Sequence, residues 1–295
     1  MESVNCLEGK NLEINNLLDG KGFVKLVKVS PETHPEGYTP EYLIAKAARL
    51  SYNSSNKSAA ADKGLIEYLI RHQHTSPLEM CSVTFCLNLP IAICRQLLRH
   101  RTGKFNEFSQ RYTEVEEDNL RYNLTQNFFS LRGPSKLSKQ ASELLPVESG
   151  KMEEILDLMV EAEHKLDECY TLYKKLLKAG LAKEVARFYL PVSTYTKIYV
   201  QFDLNNFMKF LKLRCAPDAQ YEIQVYANAM KELSKQFFPI SLGIHEQYQG
   251  ALLLGEYEKR MIKEGKIPEE ITSKTHIAYL KEIAEDLSLF KKNGT

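Results

Sequence analysis

The chain predicts one α/β (α+β) domain with a central mixed sheet flanked by helices, plus a helical C-terminal extension. Three observations predict it. Val83, Phe85, Leu87 and Leu89 alternate with Thr84, Cys86 and Asn88, which makes a strand with one apolar face. Thr196, Ile198, Val200 and Phe202 alternate in the same way against Lys197, Tyr199 and Gln201. Around these strands apolar residues recur at helical spacing. No repeat, low-complexity tract or linker divides the 295 residues, a length that one large domain accommodates.

Taken in order, residues 1–21 are polar and Asn-rich and read as a loosely held extension. Phe23–Val29 alternates as a strand, and Glu41–Leu50 and Ala59–His72 read as helices. The Val83–Leu89 strand runs into a helix for which Pro90 suits the first position, where a missing N–H costs nothing. On that helix Ile91, Cys94, Leu97 and Leu98 form the side expected to face a core, and Arg95, Gln96 and Arg99 lie opposite. Gly103 offers a helix exit. Residues 113–134 read as irregular. From Ser135 to Lys178 the pattern is helical, with Leu145-Pro146 and Ser149-Gly150 as interruptions. Ala182–Tyr189 is a short helix stopped near Pro191, and the Thr196–Phe202 strand follows. Leu204–Arg214 and Ala219–Gln236 are helices, and 241–295 reads as a helical tail with a polar loop at Gly265–Glu270. The expected division is therefore an extension over 1–21, a domain over 22–240 and a helical extension over 241–295.

Bulk composition excludes several classes. Thirty-nine basic and thirty-eight acidic residues leave a net charge of +1, so no global field draws the chain to nucleic acid or membrane. Anion binding must be local. Six cysteines form no CxxC pair and sit mostly among apolar residues, which fits a reducing cytosol better than a disulfide scaffold. No apolar run approaches the ~18 residues of a membrane span, and the N-terminus lacks a basic stretch followed by an apolar core. The expectation is a soluble cytoplasmic protein.

The densest chemistry is Arg99-His100-Arg101-Thr102-Gly103-Lys104-Phe105-Asn106-Glu107-Phe108-Ser109-Gln110-Arg111, with Glu107 as the one acid of the stretch. Guanidinium forks pair bidentately with phosphate oxygens and stay charged at any working pH. A solvated basic loop is the alternative. Gln96 and Arg99 point the same way on the preceding helix, toward whatever the loop binds.

Other clusters are weaker alone. His74-Thr75-Ser76-Pro77-Leu78-Glu79 reads locally as a helix stop and turn, placed where polar side chains can also reach a ligand. His72 and His74 are two apart and share no helical face, and no HExxH spacing occurs, so no metal is expected. Arg187 sits among Val185, Ala186, Phe188 and Leu190, which calls for an anion or a structural ion pair. Arg214 ends an apolar helix, a favourable place for a cation. Nucleophiles are poor: Ser109 lacks a Gly-x-Ser-x-Gly context, and Cys215 beside Arg214 is the one candidate for a cysteine in an electropositive pocket. Neither a Rossmann glycine fingerprint nor a P-loop is present.

These residues add up to a family resemblance. Arg99-His100-Arg101, seven residues, Ser109, one residue and Arg111 is similar to the signature of flavin-dependent thymidylate synthases. The flanking order resembles that family too: Ser51 after a helix, His74-x-Ser76-Pro77-x-Glu79, Gln96 three before the signature, Ala186-Arg187-x-x-Leu190-Pro191, and Leu213-Arg214 followed by Ala219-Gln220-x-Glu222-Ile223. The resemblance runs in register from about Gly22 to about Ile240.

The resemblance implies reductive methylation of deoxyuridine monophosphate at C5 to thymidine monophosphate. Methylenetetrahydrofolate would supply the carbon, FAD would relay it, and NADPH would supply the electrons. It implies a homotetramer with active sites between subunits, small-molecule nucleotide and folate partners, and no nucleic-acid or membrane partner. It places Gln96, Arg99, Glu107, Ser109, Gln110, Arg111 and Arg187 at the nucleotide, and Arg214 against the pyrimidine. There a guanidinium would favour the ionised ring at N3 and O2, electrostatic stabilisation typically worth ~3–4 kcal/mol per preorganised donor. No enzyme nucleophile is required. Ser51, His74, Ser76, Arg99, His100, Arg101, Glu107, Asp203 and Asn205 match FAD-holding positions, where cations would favour the reduced, anionic flavin. Glu107, set among arginines, would stay ionised and organise them. The chain departs from the family at Asp203, Lys209 and Asp218. Methylation of the ribonucleotide UMP is a close alternative, and a nucleotide- or RNA-binding module without chemistry a distant one.

Overall fold

The computed structural model describes residues 12–32, 38–50, 58–117, 121–126, 131–135, 142–145, 151–248 and 255–267, with single positions or short stretches between 269 and 284. The chain forms two compact units, 1–246 and 247–295.

In the first unit, strands β1 (Glu13–Leu17) and β2 (Gly22–Ser30) precede helices α1 (Tyr42–Arg49) and α2 (Ala59–Arg71). Strand β3 (Ser82–Pro90) leads into α3 (Ile91–Leu97) and then β4 (Lys104–Glu107). A hairpin of β5 (Arg132–Pro134) and β6 (Ser142–Leu144) precedes α4 (Lys151–Lys178) and the short α5 (Lys183–Ala186). Strand β7 (Tyr195–Asp203), α6 (Leu204–Arg214), α7 (Tyr221–Lys235) and α8 (Pro239–Tyr248) follow.

The main sheet has the order β1-β2-β3-β7-β4, and every neighbouring pair is antiparallel. The expected mixed sheet is thereby corrected. The reason lies in the connections: Ser30 pairs with Ser82 and Pro90 with Tyr195, so the chain re-enters the sheet at the end it left. One sheet face carries Val83, Phe85, Leu87, Ile198, Val200 and Phe202, all buried in one core with Phe207 and Phe210 of α6 and Ile223, Tyr226 and Met230 of α7. The other face is polar, and Lys197 and Tyr199 on it are exposed.

Four expectations need correction. The stretch 1–21 contributes β1, which pairs with β2 because Ile14 and Leu17 pack against the core. Its turn back passes through Gly20 at φ +88, a conformation glycine adopts without a Cβ clash. The helix expected from Ser135 starts at Lys151, because Ser142–Leu144 pairs with Arg132–Pro134 and the Arg132 guanidinium donates to the Ser142 carbonyl (3.0 Å). The α3 core face is Ile93, Cys94 and Leu97 rather than Ile91 and Leu98, because the helix ends at Leu97 and leaves Leu98 outside. Finally, residues 241–246 belong to the first unit: Leu242 and Ile244 join its core, and the buried Glu41 carboxylate accepts from the Ile240 N–H (2.9 Å) and the Ser241 N–H at the start of α8.

The second unit holds α9 (Glu256–Glu264), closed by Gly265 at φ +68. Met261, Ile271, Leu280 and Ala284 form its own small core. Among the described residues no helix is long and apolar enough to cross a membrane.

Candidate active site

The sequence of β3 and α3 delivers Gln96 and the Arg99-His100-Arg101 stretch to the C-terminal end of α6. Gly103 makes the reversal into β4 possible, although not as a left-handed helix exit. A Cβ there would lie 2.6 Å from Phe202 Cε1 and 2.7 Å from Phe105 Cζ. The His100 ring meets Phe210 edge-on at 4.9 Å, and Phe210 is stacked on Phe202 and Phe207. Arg214 Nε donates to His100 Nε2 (2.9 Å), and Arg214 Nη2 donates to the Gln96 carbonyl (3.3 Å). Burial, with the Arg214 charge adding to it, pushes His100 down to about 4, so the imidazole is neutral at working pH and its Nε2 lone pair accepts. Burial also lowers the Arg214 value, without threatening its charge. The neighbouring Cys215 thiol is pushed up by burial, which removes it as an activated nucleophile.

A second group forms on the loop after β4. Arg111 Nε and Nη2 both reach Glu184 Oε2 of α5 (3.1 and 3.0 Å), and Arg187 Nε donates to the Glu184 carbonyl (3.3 Å). Ser109 Oγ accepts from the Arg111 N–H (3.3 Å). Gln110 Nε2 is buried with no hydrogen-bond partner among the described residues, a donor that calls for an acceptor. Among the described residues no arginine pairs with Glu107. Its carboxylate accepts from the buried Thr196 hydroxyl (2.9 Å), because β4 pairs with β7 and sets Glu107 opposite Ile198.

A third group lies at the other end of β7. Gln73 at φ +56 turns the chain after α2, leaving His74 and Ser76 exposed. The following 3-10 turn brings Glu79 Oε1 to Asn205 Nδ2 (3.3 Å). Asp203 caps α6: Oδ1 accepts from the Asn206 N–H (2.9 Å) and Oδ2 from Asn206 Nδ2 (2.6 Å). Both its oxygens thus serve the helix start. Arg99 and Arg101 are exposed. Ser51 lies outside the described residues.

The match to known proteins covers most of the chain. The family described as thymidylate synthase complementing protein matches residues 36–240. A flavin-dependent thymidylate synthase of Thermus thermophilus is 39% identical over 238 residues, 79% of each chain. One from Dictyostelium discoideum is 37% identical over 262 residues, 88% of this chain and 83% of that one. The chain belongs to the flavin-dependent thymidylate synthase family. It is an enzyme, a methyltransferase. Among solved structures, a UMP/dUMP methylase from Streptomyces cacaoi bound with 5-Br dUMP matches with a TM-score of 0.63 at 30% identity, over 77% of this chain and 95% of that one. The same methylase bound with 5-Br UMP matches with a TM-score of 0.61 at 29% identity, over the same shares.

In this chain the residues of the expected site therefore fall into separate groups: Gln96, His100 and Arg214 in one, Ser109, Arg111 and Arg187 in another. No hydrogen bond or ion pair among the described residues joins those two. Sequence reasoning missed Glu184 and Thr196. The only trace of Glu184 was its place three residues before Arg187, one helical turn away; Thr196 read simply as a strand residue.

Proposed function

We propose that the enzyme methylates C5 of deoxyuridine monophosphate, with methylenetetrahydrofolate as carbon donor and NADPH as reductant. The observation that carries this reading is the anchored Arg214, whose Nε and one Nη2 hydrogen are engaged inside the protein while Nη1 remains for a ligand. Held this way, the guanidinium is a fixed donor edge for the N3/O2 side of uracil, and it stabilises the charge that raises electron density at C5. Arg111, Arg187, the Ser109 hydroxyl and the Gln110 amide form a donor set suited to a phosphate dianion. No side chain has to attack the ring.

The residues also fit a flavin. Exposed Arg99 and Arg101 offer charge to a pyrophosphate, and His74, Ser76 and the buried Asn205 offer ring and polar contacts. FAD, when bound, supplies the relay of the one-carbon unit and the reducing equivalents. Folate and NADPH enter as co-substrates.

The separation into groups supports sites shared between subunits, in the proposed homotetramer, where the Gln96–Arg214 group of one subunit meets the Arg111–Arg187 group of another. Tyr112 (70% exposed) and Phe188 (79% exposed) border the second group with Tyr189 and Val192, apolar area that association would cover. The Streptomyces relative was solved with both 5-Br UMP and 5-Br dUMP, so the ribonucleotide is the second reading.

The test is an absorbance spectrum of the purified protein after FAD is added and the excess removed. Oxidised-flavin bands that bleach with NADPH when deoxyuridine monophosphate is present, followed by thymidine monophosphate formation, are the expected result. A colourless protein that retains no FAD would overturn the reading in favour of a binding module. Faster turnover of UMP would move the substrate to the ribonucleotide.

A further inference from the structure

Gln96 lies in the proposed nucleotide site, and its amide has one orientation that the surrounding bonds allow. Gln220, at the start of α7, donates from Nε2 to Glu222 Oε2 (2.8 Å). A carboxylate only accepts, so Gln220 must turn its NH2 toward Glu222 and its carbonyl oxygen away. That oxygen, Oε1, accepts from Gln96 Nε2. Gln96 is thereby left with Oε1 directed away from Gln220, while its own backbone carbonyl is taken by Arg214 Nη2 (3.3 Å).

We infer that Glu222, acting through Gln220, is a positioning residue that sets the Gln96 side chain as a hydrogen-bond acceptor for the nucleotide sugar hydroxyl. The inference rests on the proposed nucleotide reading of the site. The group recognised follows by elimination. The phosphate dianion offers only acceptors, and the uracil N3/O2 edge is claimed by the Arg214 donors. The sugar hydroxyl is the donor that remains. Neither Gln220 nor Glu222 touches the ligand in this account. They decide which end of the Gln96 amide does.

The relay makes a prediction that ordinary structural damage does not. Glu222→Lys leaves only donors at position 222, which reverses Gln220 and then Gln96, presenting an NH2 where an oxygen stood. Binding of deoxyuridine monophosphate should weaken by about 3- to 10-fold, the worth of one neutral hydrogen bond. Binding of 2′,3′-dideoxyuridine monophosphate, which lacks the hydroxyl, should stay within about 2-fold of wild type. Adding Gln96→Glu to Glu222→Lys restores an acceptor at position 96 that the reversed Gln220 can donate to. The double variant should therefore bind deoxyuridine monophosphate more tightly than either single variant, although Gln96→Glu alone weakens it. Calorimetric titration of the FAD-loaded proteins with both nucleotides reads all of these constants.

Unchanged deoxyuridine monophosphate binding or equal loss for both nucleotides in Glu222→Lys, or single effects that multiply in the double variant, would overturn the relay while leaving the site reading intact. A wild-type protein that binds neither nucleotide would overturn both.

Discussion

Arg214 ends a helix whose inner face is Phe207, Phe210 and Leu211, and its guanidinium is tied to a half-buried imidazole and a backbone carbonyl. Arg111 stands on a loop, half exposed, and is tied to a single surface carboxylate, Glu184. Both cations belong to the same proposed site, yet their supports differ in kind. The Arg214 partners are held by the aromatic core, so its direction is settled before any ligand arrives, which is what stabilising a developing charge demands. The Arg111 partner is an exposed ion pair of small worth, readily exchanged for a phosphate. Within the proposed function, the difference suits the first arginine to chemistry and the second to capture.

The largest expected effect comes from removing the anchored group. Arg214→Ala should lower kcat by ~10²–10³-fold, the cost of one preorganised donor, while the protein keeps its flavin spectrum. Arg111→Ala should instead raise the nucleotide KM by about 10-fold or more and leave kcat nearer wild type, reflecting lost charge-assisted bonds. Steady-state kinetics on the two variants separates the roles, and a similar kcat loss in both would erase the distinction. Gly103→Val sharpens the structural half of the comparison, because its side chain must displace Phe202 or Phe105. A loss of about 1–3 kcal/mol, seen as a lower thermal midpoint, is expected from overpacking there.

A pH series probes the same anchor. The folded His100 titrates at about 4, below the ordinary histidine value, so the unfolded chain takes up a proton first as the pH falls. Stability from this residue is complete above about pH 6.5 and is lost as the pH falls from there toward about 4. Denaturant midpoints at pH 7 and pH 5 should differ more for the wild type than for His100→Gln, which keeps an acceptor for Arg214 but has no titrating proton. The smallest effect concerns the exchangeable partner. Glu184→Gln frees Arg111 and should lower the nucleotide KM by no more than about 3-fold, in keeping with an exposed pair. A rise in KM would mean that Glu184 holds Arg111 in its binding position.

The anchored region was also the more legible one. Leu204–Arg214 reads as a helix residue for residue, because Asp203 supplies a cap and Phe207, Phe210 and Leu211 a helical stripe. The three longest strands alternate clearly, and the signature stands out by density of charge alone. Strand β1 was not visible, because Asn15 and Asn16 break any alternation and its pairing with β2 creates the strand. Antiparallel order throughout the sheet was hidden as well, since it depends on which end of the sheet each connection returns to. Partners of the capture loop were hidden for the same reason. Glu184 lies 73 residues from Arg111, and Thr196 lies 89 residues from Glu107, so folding alone brings them together.

Mixing two weakened variants tests the central claim that the anchored and the capturing groups meet across a subunit boundary. Arg214→Ala and Arg111→Ala proteins are combined, allowed to exchange subunits and assayed for thymidine monophosphate with the nucleotide held well below the wild-type KM, where each alone is nearly inactive. In a symmetric oligomer with shared sites, random exchange rebuilds wild-type sites from the intact halves, and activity should return to about a quarter of wild type. Mixed oligomers that form yet stay as inactive as their parents would contradict the account and return the complete site to a single chain.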